Sequence, residues 1–147
     1  MEPGIKFNAT WSDEDLTNLH VEICDGASLF ATEIWVSHQQ LRDTVAGLHV
    51  FKNQIRGGIF NLRFGEFGPE YASGALDVRL QFRKLAKILI QVSAQSGFTR
   101  FEDRELASEA KLYLVSEPAL LDAFIDAFQA PSEGSSTEAV LEAFSVN

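Results

Sequence analysis

A single cysteine, Cys24, among 147 residues leaves no partner for an intrachain disulfide and nearly excludes a cysteine-based zinc site. No stretch approaches 18 apolar residues, which argues against a transmembrane helix, and no basic-then-apolar leader opens the chain. Positive charge is scarce: 12 bases stand against 21 acids, a net of -9, which argues against tight non-specific binding to nucleic acid. The spacings HExxH, CxxC, GxxxxGK[ST] and GxSxG are all missing, so zincin, zinc-ribbon, P-loop and serine-elbow chemistry have no support. The expectation is a cytoplasmic protein with no membrane or nucleic-acid partner and no cofactor.

What the chain does contain suits one well-packed domain. Apolar residues make up 46% and charged residues 22%, and twelve phenylalanines with two tryptophans supply ample core. The charge is uneven. Residues 1–50 hold two bases and eight acids, residues 51–100 eight bases and three acids, and residues 101–147 two bases and ten acids. Acidic ends therefore flank a basic middle, either to neutralise one another in the fold or to meet a charged partner.

Ile5, Phe7, Ala9 and Trp11 alternate with polar residues at the period of a half-buried strand. Leu19, Val21 and Ile23 repeat the pattern, and Asp25-Gly26 then reads as a two-residue hairpin loop. That loop sets Val21 opposite Phe30 and Leu19 opposite Thr32. The inner face of the third strand is then Phe30, Thr32, Ile34 and Val36, with Trp35 on the other face beside His20 and Glu22. Ser37 and Gln40 fit a capping box, and Leu41, Val45 and Leu48 share one face of the helix that follows.

Phe60 to Phe64, Leu76 to Phe82, Ile88 to Val92 and Glu109 to Val115 alternate again and read as antiparallel strands. Ser116 or Glu117 can cap a second helix that carries Pro118 in its first turn and the stripe Leu121, Phe124, Ile125 and Phe128. Phe82 and Phe124 are expected to meet at the sheet–helix interface. The predicted fold is α+β: a large, mostly antiparallel curved sheet of about seven strands, with one helix after the third strand and one C-terminal helix packed on it. Residues 1–130 form the domain. Residues 131–147 read as a flexible linker with a short C-terminal helix or tail, dispensable for folding.

Chemistry is sparse. His20, Glu22 and Cys24 share a strand face, but consecutive same-face positions are about 6.6 Å apart, awkward for three ligands on one small ion. No metal site and no catalytic set is assigned. The loop from Gly65 to Gly74 stands out because Glu66, Phe67, Glu70 and Tyr71 combine carboxylates and aromatics between two strands. Glu66 and Glu70 have the residue types of an acid/base pair, and Phe67 and Tyr71 those of a recognition loop or of a loop folded back on the core. Arg63, Arg79, Arg83 and Lys87 form a basic stripe if their strands are neighbours. The candidate binding residues are Trp35, Glu66, Phe67, Glu70, Tyr71, Arg79 and Arg83.

Three features carry a family resemblance: the first strand ending at Trp11, the Asp25-Gly26 hairpin, and a closing strand that runs into Ser116-Glu117-Pro118-Ala119-Leu120-Leu121-Asp122-Ala123-Phe124. In layout, over roughly residues 5–130, the chain resembles small acidic bacterial proteins of the WapI-type immunity family and related uncharacterised families. The resemblance implies a non-enzymatic protein that binds and neutralises a cognate toxin, and it supplies no catalytic residues. Two expectations follow: a protein-binding module with a protein partner or self-association, or a small-molecule-binding protein or small hydrolase with a pocket between sheet and helices. Few convergent titratable residues favour the first. A deep pocket holding Glu66, Glu70 or His20 would favour the second.

Overall fold

The three alternating segments at the start of the chain are the strands β1 (Gly4–Ser12), β2 (Leu16–Cys24) and β3 (Leu29–Ser37), paired as an antiparallel meander. A computed structural model describes residues 2–68, 73–132 and 138–146, with side chains described as far as residue 129 in the second stretch. Glu70 and Tyr71, and residues 133–137 of the expected linker, lie outside the described residues.

The β2–β3 loop has four residues, Asp25 to Ser28, and not two. Asp25 Oδ1 accepts the backbone N–H groups of Ala27 and Ser28 at 2.9 and 2.7 Å, and the Asp25 N–H reaches the Ser28 carbonyl at 3.2 Å. This Asx-type closure outcompetes the tighter turn. Val21 consequently faces Thr32 and Leu19 faces Ile34, two residues from the expected pairing. An even slip keeps every side chain on its expected face.

Helix α1 (His38–Phe51) starts as expected. Ser37 Oγ accepts the Gln40 N–H at 3.0 Å and Gln40 Oε1 accepts the Ser37 N–H at 2.8 Å, a complete capping box. Leu41, Val45, Leu48 and Phe51 are its buried stripe. Strands β4 (Ile59–Phe64), β5 (Ala75–Phe82) and β6 (Ile88–Gln95) follow, then a two-stranded ribbon, β7 (Thr99–Phe101) and β8 (Arg104–Leu106), and β9 (Glu109–Ser116). Helix α2 (Pro118–Ser132) precedes β10 (Glu138–Glu142) and β11 (Phe144–Ser145). No described helix is long and apolar enough to cross a membrane.

The fold is α+β with antiparallel sheets, and apart from the β7–β8 ribbon the strands divide between two of them, in the orders β10-β1-β2-β3 and β11-β9-β6-β5-β4. Their apolar faces share one core with both helices. Phe128 on α2 meets Phe7 of the first sheet at 5.2 Å and Phe64 of the second at 6.4 Å between ring centroids, so one helix touches both dry faces. Two facing sheets need only two helices to close the core, whereas one sheet with all these strands would need a wider cover. Phe82 and Phe124 are both buried but take different partners: Phe82 stacks on Phe51 of α1 at 4.7 Å, and Phe124 packs on Phe7 at 5.6 Å.

The end of the chain departs most from expectation. Residues 138–142 are a strand and not a short helix, and they complete the first sheet against β1, with Ile5 opposite Leu141 and Phe7 opposite Ala139. A short apolar run is readable as helix or strand, and the unpaired edge of β1 decides the matter. Gly4 admits the close approach: its φ is +156°, and a Cβ there would lie 2.8 Å from the Leu141 carbonyl oxygen. Ser116 is fully buried and donates to the Glu142 carbonyl at 2.7 Å, so it ties the sheets together where it was expected to cap α2. On the opposite edge, Thr32 Oγ1 donates to the Gln95 carbonyl at 3.1 Å and the Gly74 N–H to the Glu33 carbonyl at 3.0 Å.

The tail is thus part of the domain. Ala139 and Leu141 are buried. Leu141→Ala is expected to cost about 2–5 kcal/mol in a urea melt, the range for a truncated core leucine. Removing residues 138–147 is expected to lower the thermal midpoint by more than about 5 °C.

Candidate functional site

The outer face of the first sheet carries both tryptophans of the chain. Strict alternation would place Trp11 with Ile5 and Phe7 in the core. A β-bulge intervenes: Ala9 pairs with Leu19, but Trp11 pairs with Asn18, leaving Thr10 as the extra residue. One added residue reverses the face of everything beyond it. Trp11 therefore turns outward and forms one row with Asn18 and Trp35 across β1, β2 and β3. The two indoles meet edge to face, with centroids 5.4 Å apart and planes at 69°. They remain 50% and 45% exposed.

The pair rests on a rigid base. Asn18 is buried in the middle of the row, and its Oδ1 accepts the Thr10 hydroxyl at 2.9 Å. His38 Nε2, at the start of α1, lies 3.2 Å from Ser12 Oγ and 3.1 Å from Thr17 Oγ1, while the His38 N–H donates to the Asp15 carbonyl. The end of the β1–β2 hairpin is thereby fastened to the helix.

Carboxylates lie in the neighbouring turn and rows of the same sheet. Asp13, Glu14 and Asp15 form the exposed β1–β2 turn directly after Trp11. In the next row, His20 sits opposite Glu33 and Asn8, with its Nε2 3.3 Å from Glu22 and its Nδ1 4.0 Å from Glu33. Lys6 is engaged by Glu138 at 3.5 Å. The face is aromatic at one end and acidic around it. Such a surface suits cations, because carboxylates attract them and an indole face holds an ammonium or guanidinium by cation–π attraction.

Trp35 lies on the outer face as expected, but its cross-strand neighbour is Asn18, and His20 faces Glu33. The other described candidates do not join it. Glu66 is exposed, and Phe67 is half-buried with the Arg63 guanidinium 5.4 Å from its ring centroid. The Gly68 N–H is pinned by Gln95 Oε1 at 2.6 Å, whose Nε2 in turn donates to Glu109 at 2.7 Å. Arg79 is exposed on the outer face of the second sheet, between Asn61 and Gln91. Arg83 belongs to the β5–β6 turn. The basic stripe is broken as well, since Arg63 is opposite Asp77 and paired with it at 3.3 Å. Among the described residues, no group of three His, Cys, Asp or Glu side chains is placed to hold a metal ion. Trp11 is the residue sequence reasoning missed, because a bulge without glycine leaves no mark in the residue pattern.

The space in which a ligand pocket between sheet and helices was expected is occupied by Phe7, Phe64, Phe124 and Phe128. Comparison with known proteins adds no relative: no family model, no curated protein and no solved structure matches the chain.

The acidic turn has a measurable signature. Asp13 is held below the usual carboxylate range, chiefly because its carboxylate accepts the Leu16 N–H and then the Asp15 N–H, both at 2.8 Å, with His38 nearby adding a smaller pull. A carboxyl whose folded-state value is lowered contributes stability that is complete above its unfolded value, about pH 3.9, and is lost as the pH falls through the folded value. Carboxyl-detected NMR titration is expected to give Asp13 a midpoint below about 3.9. Asp13→Asn should be less stable than wild type at neutral pH, with the difference shrinking as the pH falls through the folded value.

Proposed function

We propose that the chain is a non-enzymatic protein-binding module that presents the outer face of β1–β3 to a cationic partner. The observation that carries this reading is the exposed Trp11–Trp35 pair. Interface energy concentrates in a few tryptophan, tyrosine and arginine side chains on well-fixed backbone, and an aromatic pair left in water on a sheet gives the fold little in return. The carboxylates of the adjoining turn and of the next rows on that face give the partner its sign.

The more specific form is an immunity protein that neutralises a cognate bacterial toxin. A basic toxin domain, charged to engage nucleic acid or another polyanion, has the surface chemistry that an acidic, tryptophan-bearing face accepts. Neutralisation needs only that the bound face be occluded, so no catalytic group is required of this chain. The layout resemblance over residues 5–130 points the same way.

The test is calorimetric titration of the chain with the purified product of the adjacent reading frame, together with growth of cells producing that product with and without the chain. Protection and tight binding are expected, with Trp11→Ala and Trp35→Ala each weakening the complex by more than about 1 kcal/mol while the variants keep their thermal midpoints within a few degrees. Tight binding indifferent to both substitutions would put the interface elsewhere. Unfolding of the Trp35→Ala variant would make that residue part of the fold and remove the basis of the proposal.

A further inference from the structure

At the far end of α1 lies a second surface with the opposite sign. The connection between β5 and β6 is Arg83-Lys84-Leu85-Ala86-Lys87, closed by hydrogen bonds from the Arg83 N–H to the Lys87 carbonyl at 2.6 Å and from the Lys87 N–H to the Lys84 carbonyl at 3.3 Å. Leu85 and Ala86 both take left-handed backbone, with φ of +61° and +58°. Consecutive residues with a Cβ seldom do so, and the usual occupants of such a turn are glycine, asparagine or aspartate. The strain holds Leu85 out in water, 93% exposed. Ile55 and Arg56 of the loop after α1 and the β5–β6 turn line one open cleft of about 890 Å³ together with the buried Phe82.

Four cations, Arg56, Arg83, Lys84 and Lys87, line that cleft, and none of them enters an ion pair among the described residues. In a chain with 21 acids, this concentration of unneutralised base around a strained, exposed leucine has no return within the fold. We propose that the cleft is a second binding site, for a short acidic peptide segment that carries apolar side chains. The lysines and arginines take the carboxylates, and Leu85 and Ile55 take the apolar groups.

The shape and the field select this ligand. The cations of the open cleft come from two separate segments, Arg56 from the loop after α1 and Arg83, Lys84 and Lys87 from the β5–β6 turn, which suits a short chain laid across both. A membrane or a duplex would also bring its charge against the acidic remainder of a molecule at -9. A short segment confines its contacts to the basic end, within a screening length of about 8 Å at physiological salt. The 14 residues of α1, about 21 Å of helix, separate this cleft from the tryptophan face. The site uses no residue of that face, so the two proposals fail independently.

The test is fluorescence anisotropy of a fluorescein-labelled octapeptide of alternating glutamate and leucine, titrated with the full chain. Binding is expected, with the affinity falling by more than about tenfold on the double substitution Lys84→Glu and Lys87→Glu and again on raising the salt. Trp35→Ala should leave it unchanged. Leu85→Asn keeps a residue suited to left-handed backbone, so the thermal midpoint should hold or rise while the peptide binds more weakly. The proposal is overturned if charge reversal leaves the peptide affinity unaltered, or if a peptide of alternating glutamate and serine binds equally well. It is also overturned if phosphatidylserine vesicles or a DNA duplex bind through these residues while the peptide does not, or if sedimentation shows a second copy of the chain filling the cleft and the peptide fails to displace it.

Discussion

The contact of Phe128 with Phe7 on one side and Phe64 on the other is the interaction on which the rest of the molecule depends. Each sheet has one apolar face, and neither face can be left wet. Burial of a phenylalanine side chain contributes about 1.5–3 kcal/mol, and this cluster brings together side chains from both sheets and α2. With α2 between them, the sheets close at their edges through hydrogen bonds from Thr32 to Gln95 and from Ser116 to Glu142. The strand after α2 then lies beside β1, whose edge it completes. The outer face of the first sheet is firm because its inner face is packed so fully.

On that firm base, a single inserted residue sets the chemistry of the surface. Had β1 run without interruption, Trp11 would have pointed inward with Ile5 and Phe7. The bulge at Thr10 sends it outward, where Asn18 spaces it from Trp35. Bulges commonly re-aim a side chain at the margin of a sheet in this way. The strands beneath the resulting edge-to-face pair are held by hydrogen bonds among Thr10, Asn18, Ser12, Thr17 and His38.

Charge is arranged along α1. The carboxylates of the β1–β2 turn gather at its N-terminal end, where the helix dipole favours negative charge, and Lys52, Arg56 and the β5–β6 turn gather at its C-terminal end, where it favours positive charge. The dipole accounts for the direction of this separation but not for its extent, since its influence fades within a turn. A net charge of -9 thus conceals two opposed surfaces. An acidic surface with indoles at one end and a basic one with a leucine at its tip stand at opposite ends of α1.

What the residues alone determined is everything that depends on neighbours close along the chain. The capping box of Ser37 and Gln40, the stripes Leu41–Val45–Leu48 and Leu121–Phe124–Ile125–Phe128, and the inward faces of β2 to β6 follow from periodicity and from local hydrogen bonding. The outward placement of Trp35 does too, because the face of a strand residue survives an even slip in register. The division into two sheets, the four-residue β2–β3 loop, the outward turn of Trp11 and the strand at residues 138–142 came only with the tertiary structure. All but the loop are settled by groups distant in sequence. Asp25 gained two backbone N–H groups by lengthening the loop. Trp11 was turned outward by the bulge in the pairing of β1 with β2. Residues 138–142 could complete β1 only once α2 had delivered them to its edge, since the free energy that favours strand over helix there lies in the backbone hydrogen bonds of β1 and not in the segment itself.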